Sequence, residues 1–465
     1  MYHSARDRFG TEGGGRMLTT NERLGRAALW LAVTLGALHA APDRVSAETI
    51  HLRCGTLIDG VSDASRENVT IRVEGNRIAA LGPSETIEDG DATVVDLSSS
   101  TCLPGLIDAH AHLLIKTDDY QVDHLRRSSA YKALRGLSVA QEMLRSGWTT
   151  VRVLGDADVY YAHLDVRTAI EEGLFVGPRL TGAGHYLSIT GGGGDLNFFG
   201  PEHTVVADGL VIDGVDAIRR AVREEVKYGS DWIKVLASGA MMSLGNDPRR
   251  AHFSPEELRA MVEEASRLGV PVAAHAHSTD GIKQAILAGV RSIEHGTFVD
   301  DEGIRLMAER GVFLVPTFYV GDYYLEEQPD SEAQSEMNAL TRQYRAQHME
   351  SVGKALRAGV RVVVGTDYVG FPVSQGVREF QLLVEAGMTP MQAIQAGTRV
   401  NAELLQWDDR VGSIEVGKLA DIIAVPGDPL RDLSVLENVS FVMLDGSVVR
   451  GRPGDAALSD TTPSR

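Results

Sequence analysis

Polar residues recur along this chain at or near the C-terminal ends of short apolar runs. Such runs predict buried parallel strands, in which both faces carry apolar side chains. In a (β/α)8 barrel the C-terminal ends of the strands meet at one mouth, where active sites are built. The pattern therefore predicts an α/β fold of this kind, whose mouth collects His110, His112, Lys234, His275, His295 and Asp367.

The chemistry of these six residues indicates a metal site. Imidazole and carboxylate groups are ligands that zinc-like divalent ions prefer. His110 and His112 are two positions apart, so on a strand both imidazoles lie on one face and can reach one ion. Lys234 is the exception, because an ammonium cannot bind a cation, and it lies in an apolar run where a bare charge is costly. Reaction with carbon dioxide would convert it to a carbamate, whose two oxygens can bridge two metals.

Each of these residues taken alone has a simpler interpretation. The histidine pair could be two ordinary histidines, Lys234 could be a surface lysine whose stem covers apolar area, and Asp367 could cap a helix. Together those interpretations require a separate coincidence at each strand end. A shared metal site explains all the positions at once, so we favour it.

Several motifs resemble those of the amidohydrolase superfamily, and the resemblance runs from about residue 50 to residue 451. Within the superfamily, the chain is similar to the metal-dependent dipeptidase and carboxypeptidase branch. This branch is often labelled imidazolonepropionase-like, and it includes ochratoxin-hydrolysing enzymes. The motifs follow the order of the family: HAH at 110–112, KVLASG at 234–239, SIEHGT at 292–297, GTD at 365–367, AGMTP at 386–390 and GSIEVGKLAD at 412–421.

The resemblance implies an architecture in two parts. A (β/α)8 TIM-like barrel is expected over residues 105–408, with a small β-sandwich domain built from residues 48–104 and 409–452. Short strand-like segments separated by turn residues occur in both of these end regions, which agrees with that expectation. Residues 453–465 are polar and are predicted to form a disordered tail.

The resemblance also implies two divalent metal ions, with zinc expected, as cofactors. Carboxylated Lys234 would bridge them. Asp367 would be both a ligand and the catalytic group that carries a proton from the attacking water to the leaving amine. The ligands would divide into His110, His112 and Asp367 at one ion and His275 and His295 at the other.

Four residues are predicted to contact the substrate. His277 follows His275 by two positions on the same face, and related enzymes place a tyrosine or histidine there. His185 and Tyr186 precede a glycine-rich loop, in which relatives carry a histidine where this chain has Gly193. The missing side chain predicts a wider pocket. The alternative interpretation of the loop is a simple turn between strand and helix.

Composition restricts the partners. The net charge of −19 argues against nucleic acid, because phosphates require a basic surface. A small-molecule amide or dipeptide is the expected partner, and the resemblance implies a homo-oligomer. The two cysteines, Cys54 and Cys102, both fall in the predicted small domain. The sequence leaves open whether they form a bridge or remain two thiols.

The N-terminal segment indicates export. Arg23 and Arg26 precede an apolar run over residues 27–41, and residues 45–47 provide small side chains before a cleavage position. These are the three regions of a secretory signal peptide, and the run is too short to remain as a membrane anchor. Residues 1–47 are therefore predicted to comprise an upstream extension and a signal peptide, and the mature protein to be periplasmic or secreted.

The expected function is hydrolysis of the amide bond in N-acyl amino acids or dipeptides that have a free C-terminal carboxylate. Ochratoxin A, whose amide joins a bulky acyl group to phenylalanine, is one such substrate. One alternative is a cyclic-amide hydrolase such as an imidazolonepropionase, although export counts against it. The other is a non-catalytic binding protein on the same scaffold, although such proteins usually lose metal ligands and none is missing here.

Overall fold

The computed structural model describes residues 48–116, 119–326 and 332–451. The predicted upstream extension and signal peptide, residues 1–47, and the predicted tail from residue 453 lie outside the described residues. The strands are, in chain order, β1 (Thr49–Leu57), β2 (Arg66–Glu74), β3 (Arg77–Pro83), β4 (Thr93–Pro104), β5 (Leu106–Ala111), β6 (Trp148–Leu154), β7 (Arg179–Ala183), β8 (Tyr186–Ser188), β9 (Leu210–Val211), β10 (Ile233–Leu236), β11 (Val272–Ala276), β12 (Ser292–His295), β13 (Phe313–Val315), β14 (Ile422–Pro426), β15 (Phe441–Leu444) and β16 (Ser447–Arg450).

Helices occupy most of the connections between the parallel strands. They are α1 (Tyr120–Arg126), α2 (Ser129–Arg145), α3 (Ala162–Glu171), α4 (Val215–Lys227), α5 (Pro255–Arg267), α6 (Thr279–Ala288), α7 (Asp301–Arg310), α8 (Phe318–Glu326), α9 (Glu332–Arg357), α10 (Arg378–Glu385), α11 (Pro390–Ala396) and α12 (Arg399–Leu405). No described helix combines the length and the apolarity that crossing a membrane requires.

Strands from both ends of the described chain form one seven-stranded sheet, in the order β16-β15-β14-β4-β1-β2-β3. β1 and β4 are parallel, and every other neighbouring pair is antiparallel. Buried side chains such as Leu52, Ile71 and Ile422 pack together in the core of this sheet. The two ends of the described chain therefore meet in one sheet. The predicted β-sandwich domain that would contain this sheet stays a prediction.

The two cysteines are bonded to each other. Cys54 in β1 and Cys102 in β4 form a disulfide, with their Cα atoms 5.8 Å apart. The bridge links two neighbouring strands of the sheet, whose parallel pairing shifts register between Cys54 and Thr56. Of the two outcomes that the sequence left open, the structure selects the bridge.

The parallel strands form the core that carries the cleft described below. β5, β6 and β7 make one sheet, and a second has the order β13-β12-β11-β10-β8-β9. Segment 361–368 connects the two through parallel bridges, from Leu314 to Val362 and from Ala111 to Tyr368. The predicted α/β fold is confirmed. Among the described residues, the paired strands do not close a ring of eight, so the (β/α)8 barrel stays a prediction.

The alternation of side chains in β11 explains how one strand serves both the core and the cleft. Val272 and Ala274 pack into the large core that includes the helices. Ala273 belongs to a smaller apolar cluster, and His275 lines the cleft. Residues two apart on a strand share a face. The face of β11 opposite the helices therefore carries apolar Ala273 first and polar His275 nearer its C-terminal end.

The start of α5 follows directly from its sequence. Ser254 accepts a hydrogen bond from the backbone N of Glu257, and the side chain of Glu257 accepts one from the backbone N of Ser254. This capping box satisfies donors that a helix start leaves unpaired, and Pro255 fits the first turn because its missing N–H is not needed there. The residue types of this segment therefore account for where α5 begins.

Candidate active site

One cleft collects all six predicted ligand residues. It encloses about 1090 Å³, its open mouth included. The structure places the residues as follows: His110 in β5, His112 directly after it, Lys234 inside β10, His275 in β11, His295 at the end of β12 and Asp367 in segment 361–368.

The polar atoms of these residues face one another across short gaps. Lys234 Nζ is 3.2 Å from His110 Nε2. Asp367 Oδ1 is 3.4 Å from the same nitrogen and 3.2 Å from Nε2 of His112. The ring centroids of His110 and His295 are 5.3 Å apart. Two sets of three residues have ligand atoms within 4.8 Å of one another, namely His110, His295 and Asp367, and His275, His277 and His295.

Hydrogen bonds on the far side of two rings fix which nitrogen faces the cleft. His112 Nδ1 is 2.6 Å from the carbonyl oxygen of Gly155, and His275 Nε2 is 3.2 Å from that of Gly239. A carbonyl oxygen only accepts, so each of these nitrogens carries a hydrogen, and the other ring nitrogen is the one left to face an ion. Metal-binding histidines have this arrangement.

A buried ion pair supports His110 from behind. Glu294 accepts a hydrogen bond from Nδ1 of His110 at 3.0 Å, which turns Nε2 toward the cleft and Lys234. Arg152 Nη2 donates to both oxygens of Glu294, at 3.0 and 3.2 Å, and its guanidinium lies over the ring of Trp232. Neither residue was among the predicted site residues. The signal was available, since Arg152 and Glu294 are charged residues in apolar runs, as Lys234 is.

Asp108 fixes the backbone that carries Asp367. Its Oδ1 accepts from the backbone N of His110 and of Thr366, each at 3.0 Å, and its Oδ2 accepts from the Thr366 hydroxyl at 2.6 Å. Asp367 N donates to the carbonyl oxygen of His110 at 2.7 Å. Asp367 and His295 both have left-handed backbone, with φ of 51° and 69°. Residues other than glycine keep this conformation where surrounding bonds impose it.

Burial sets the protonation of the site. It lowers the pKa of His110, His275 and His295 well below the ordinary value, so these rings are neutral. Burial also lowers the pKa of Lys234 to about 8, although nearby carboxylates oppose the shift. Burial raises the pKa of Asp367, but its basic neighbours outweigh burial and bring the pKa below the ordinary value.

These donors fit divalent metal ions. The imidazoles that burial keeps neutral, those of His110, His275 and His295, lie beside an ionised carboxylate and a buried amine, and all of them face the same cleft. Nitrogen and oxygen donors of this kind suit zinc and similar ions. The hydrogen bonds behind the rings hold the donors in place before any ion binds.

Comparison with known proteins agrees with this geometry. The model of the amidohydrolase family matches residues 101–449. This chain belongs to the amidohydrolase family. Ochratoxinase from Aspergillus niger is 35% identical over 378 residues, which cover 76% of this chain and 76% of that protein. The solved structure of A. niger ochratoxinase has a TM-score of 0.76 at 31% identity, covering 88% of this chain and 97% of that one.

Two further relatives extend the comparison. A solved Xaa-Pro dipeptidase with bound methionine in its active site has a TM-score of 0.80 at 35% identity, covering 87% of this chain and 100% of that one. Imidazolonepropionase from Geobacillus sp. (strain WCH70) is 26% identical over 397 residues, covering 77% of this chain and 83% of that protein. The predicted family is confirmed, and the chain is a hydrolase of amide bonds.

His277 lines the amidohydrolase cleft beside the predicted ligands. Its ring stacks on that of His295 with centroids 4.7 Å apart, and its Nδ1 is 2.8 Å from Thr297 Oγ1. It also lies within ligand distance of His275 and His295. The geometry therefore allows two roles, metal ligand or substrate contact, which a variant described below separates.

His185 and Tyr186 point in opposite directions. Tyr186 lines the cleft, and its hydroxyl donates to Asp208. His185 is not among the described residues that line the cleft, because its Nδ1 is 2.6 Å from Glu225 Oε1 and its ring packs against Tyr161. His185 lies in the bend between β7 and β8, and its contacts with Glu225 and Tyr161 turn its ring away from the cleft. Of the two, Tyr186 is the residue that lines the cleft, and substrate contact by this pair stays a prediction.

Gly193 forms part of the cleft wall. A Cβ at this position would lie 3.0 Å from the Cβ of Ala240 and 3.3 Å from Cδ1 of Leu236, closer than ordinary contacts. Ser243 Oγ donates to the carbonyl oxygen of Gly193 at 2.8 Å and holds the loop against the wall. A side chain here would therefore press on Ala240 and Leu236, and this part of the cleft wall would have to shift to hold it.

The outer wall of the cleft is mainly apolar. One ion pair interrupts it, in which Arg345 donates to both carboxylate oxygens of Asp322 at 2.6 and 2.8 Å. A wall of this kind favours a bulky apolar group on the substrate, and methionine adapts well to irregular shapes. The apolar residues include Met241, Met242, Phe318, Val320 and Met337.

Proposed function

We propose that this amidohydrolase uses two divalent metal ions to cleave the amide bond of N-acyl amino acids or dipeptides with a free C-terminal carboxylate. The observation that carries the proposal is the convergence of the six predicted ligands on one cleft. Similarity to an ochratoxinase and to a Xaa-Pro dipeptidase supports this class of amide substrate.

The histidines and Asp367 would hold the ions. Bound ions of the zinc type would supply an activated water and polarise the scissile carbonyl. Because the imidazoles are already oriented by bonds on their far sides, they would need little rearrangement to bind. The first ion would take His110, His112 and Asp367, and the second His275 and His295.

Lys234 would bridge the two ions as a carbamate. Its neutral amine nitrogen attacks the carbon of carbon dioxide, a nitrogen–carbon bond forms, and one amine proton is released, which leaves an anion. Burial supports this step, because it lowers the pKa of Lys234 to about 8 and so increases the share of neutral amine.

Asp367 would carry a proton during the reaction. Its carboxylate is ionised, because its basic neighbours bring its pKa below the ordinary value despite burial. It would accept a proton from the attacking water and donate it to the amide nitrogen as the carbon–nitrogen bond breaks, so the amine leaves as a neutral molecule.

The apolar outer wall supports a substrate with a bulky acyl group, and ochratoxin A is a suitable test compound. The second candidate is a cyclic-amide hydrolase, which the similarity to imidazolonepropionase favours. A small polar ring would leave the wall formed by Met241, Phe318 and Val320 without contacts, so the first candidate explains more of the cleft.

We also propose that the protein is exported. Disulfides persist in oxidising compartments, so the bridge between Cys54 and Cys102 supports a periplasmic or secreted location. Assembly as a homo-oligomer is part of the same proposal and comes from the family resemblance alone. Gel filtration of the mature protein would test that part.

Metal analysis and a substrate panel test the proposed function together. The purified protein should hold about two zinc-like ions per chain, as binuclear hydrolases do. It should cleave N-acyl amino acids, dipeptides or ochratoxin A faster than their C-terminal amides. Protein that binds no metal would support the binding-protein alternative, and activity confined to cyclic amides would support the imidazolonepropionase alternative.

Replacing His277 with alanine should raise KM about 10-fold and leave kcat and metal content close to wild type. A hydrogen bond from His277 to the substrate carboxylate would strengthen the ground state and the transition state equally, and losing such a bond to a charged group raises KM alone. Kinetics with a substrate and its C-terminal amide measure this effect. The amide lacks the carboxylate, so its KM should be similar for the wild type and for His277→Ala. Loss of one ion instead would make His277 the ligand and the assignment of His275 wrong.

Gly193→His should narrow the cleft and discriminate against bulky acyl groups. The added side chain would take volume that a bulky acyl group needs, so kcat/KM for a bulky N-acyl substrate should fall about 10-fold more than for an N-acetyl substrate. Glu202→His, at an exposed position of the same connection between β8 and β9, is the matched control. Equal losses on both substrates would contradict a role of Gly193 in pocket width.

A further inference from the structure

A buried carboxylate in α10 caps the helix that forms part of the cleft wall. Glu379 is 0% exposed and accepts hydrogen bonds from the backbone N of Phe318 at 3.0 Å and of Tyr319 at 2.8 Å. These are the first residues of α8, where a helix leaves backbone donors unpaired. Both oxygens accept from backbone N–H groups, which is the pairing that an ionised carboxylate makes. Burial opposes the charged form and raises the pKa of Glu379, while these two hydrogen bonds act against that shift.

The capped residues adjoin the support of His295. Thr317, directly before α8, has left-handed backbone with φ of 55°, and its Oγ1 is 2.7 Å from Nδ1 of His295. A β-branched residue adopts this backbone only where its surroundings impose it. Phe318 packs on His348 with ring centroids 4.5 Å apart, and His348 Nε2 donates to the carbonyl oxygen of His295 at 2.8 Å. Two routes therefore connect the start of α8 with His295.

We propose that Glu379 is a positioning residue of the metal centre, which fixes the start of α8 and thereby orients His295. The inference rests on the proposed function, in which His295 holds a metal ion. Glu379 acts through the hydroxyl of Thr317, which engages Nδ1 of His295 and leaves Nε2 for the cleft. Without the cap, the start of α8 gains freedom and the ring of His295 loses its constraint.

Zinc affinity of the full-length protein tests this role. Glu379→Gln keeps the shape of the side chain but turns one acceptor into a donor that faces a backbone N–H. Titration of the metal-free variant against a competing chelator should show binding at one site weakened about 10–100-fold, the usual effect of losing a residue that orients a ligand. kcat should fall and KM should change little, since the substrate does not contact Glu379.

Asp59→Asn is the matched control for this experiment. Asp59 also accepts from two backbone N–H groups, those of Val61 at 2.9 Å and Ser62 at 2.7 Å, and it does not line the cleft. The control should lower Tm without weakening zinc binding. A Glu379→Gln protein that shows the same pattern, with lower Tm and wild-type zinc affinity, would overturn the inference.

Variants of Thr317 separate positioning from a general loss of stability. Thr317→Val keeps the volume but removes the hydroxyl and should weaken zinc binding as Glu379→Gln does, whereas Thr317→Ser should restore most of the affinity. Glu379 and Thr317 act on the same ligand, His295. The variant that combines Glu379→Gln with Thr317→Val should therefore have about the same zinc affinity as the single variant with the lower affinity. If Glu379→Gln does not fold, equal zinc affinities in the valine and serine variants overturn the inference. A wild-type protein without zinc would overturn the proposed function as well, so the two failures are distinguishable.

Discussion

Lys234→Ala should remove bound metal and activity together. Alanine lacks the nitrogen that carbamate formation requires, so neither ion would keep its bridging ligand. Residues that merely orient ligands already change metal affinity or activity roughly 10–100-fold, so loss of a ligand shared by two ions should lower kcat/KM by more than about 100-fold. Elemental analysis of metal per folded chain, alongside kinetics, measures both effects.

Lys132→Ala is the control for losing a buried lysine. Lys132 is 2% exposed, its Nζ is 2.9 Å from Asp158 Oδ1, and it does not line the cleft. This control should be less stable and still hold its metal. Short carboxylic acids should partly restore the activity of Lys234→Ala by taking the place of the carbamate. Wild-type metal content in an inactive Lys234→Ala protein would contradict the bridging role.

The ligand positions could be predicted because they depend on local periodicity. Strand alternation determines that His275 and His277 share a face, and Lys234 is conspicuous because an ammonium in an apolar run requires an explanation. The same reasoning applied to Arg152 and Glu294 predicts a buried ion pair behind the metal centre, which the structure contains. Charged residues in buried strands therefore indicate the groups behind a metal centre as well as its ligands.

Features that depend on contacts between distant segments could not be predicted. Glu379 meets Phe318 across 61 positions, and that contact exists only because α10 packs against α8. His185 was assigned to the substrate because it precedes the glycine loop, but its direction is set by Glu225, 40 positions later. The disulfide likewise depends on the register of β1 and β4, which no local pattern determines.

Asp367→Asn should reduce kcat on amide substrates by about 100-fold or more, the usual scale for a lost general acid–base group. Asparagine has nearly the same shape as aspartate, so the substitution removes the proton-carrying carboxylate while the cleft keeps its form. KM should stay close to wild type. Steady-state kinetics with one N-acyl amino acid, together with metal analysis of the same sample, give the first measurement.

The leaving group then separates proton transfer from metal binding. An ester analogue that releases an acidic phenol needs no proton on its leaving group, so a variant that lacks only proton transfer should lose far less rate on the ester than on the amide. If Asp367 acts only as a ligand, both substrates should slow equally and metal content should fall. Asp158→Asn, at a buried carboxylate paired with Lys132 outside the cleft, should leave the amide-to-ester ratio unchanged. An Asp367→Asn protein that retains most of its kcat on the amide would show that the proton travels by another route.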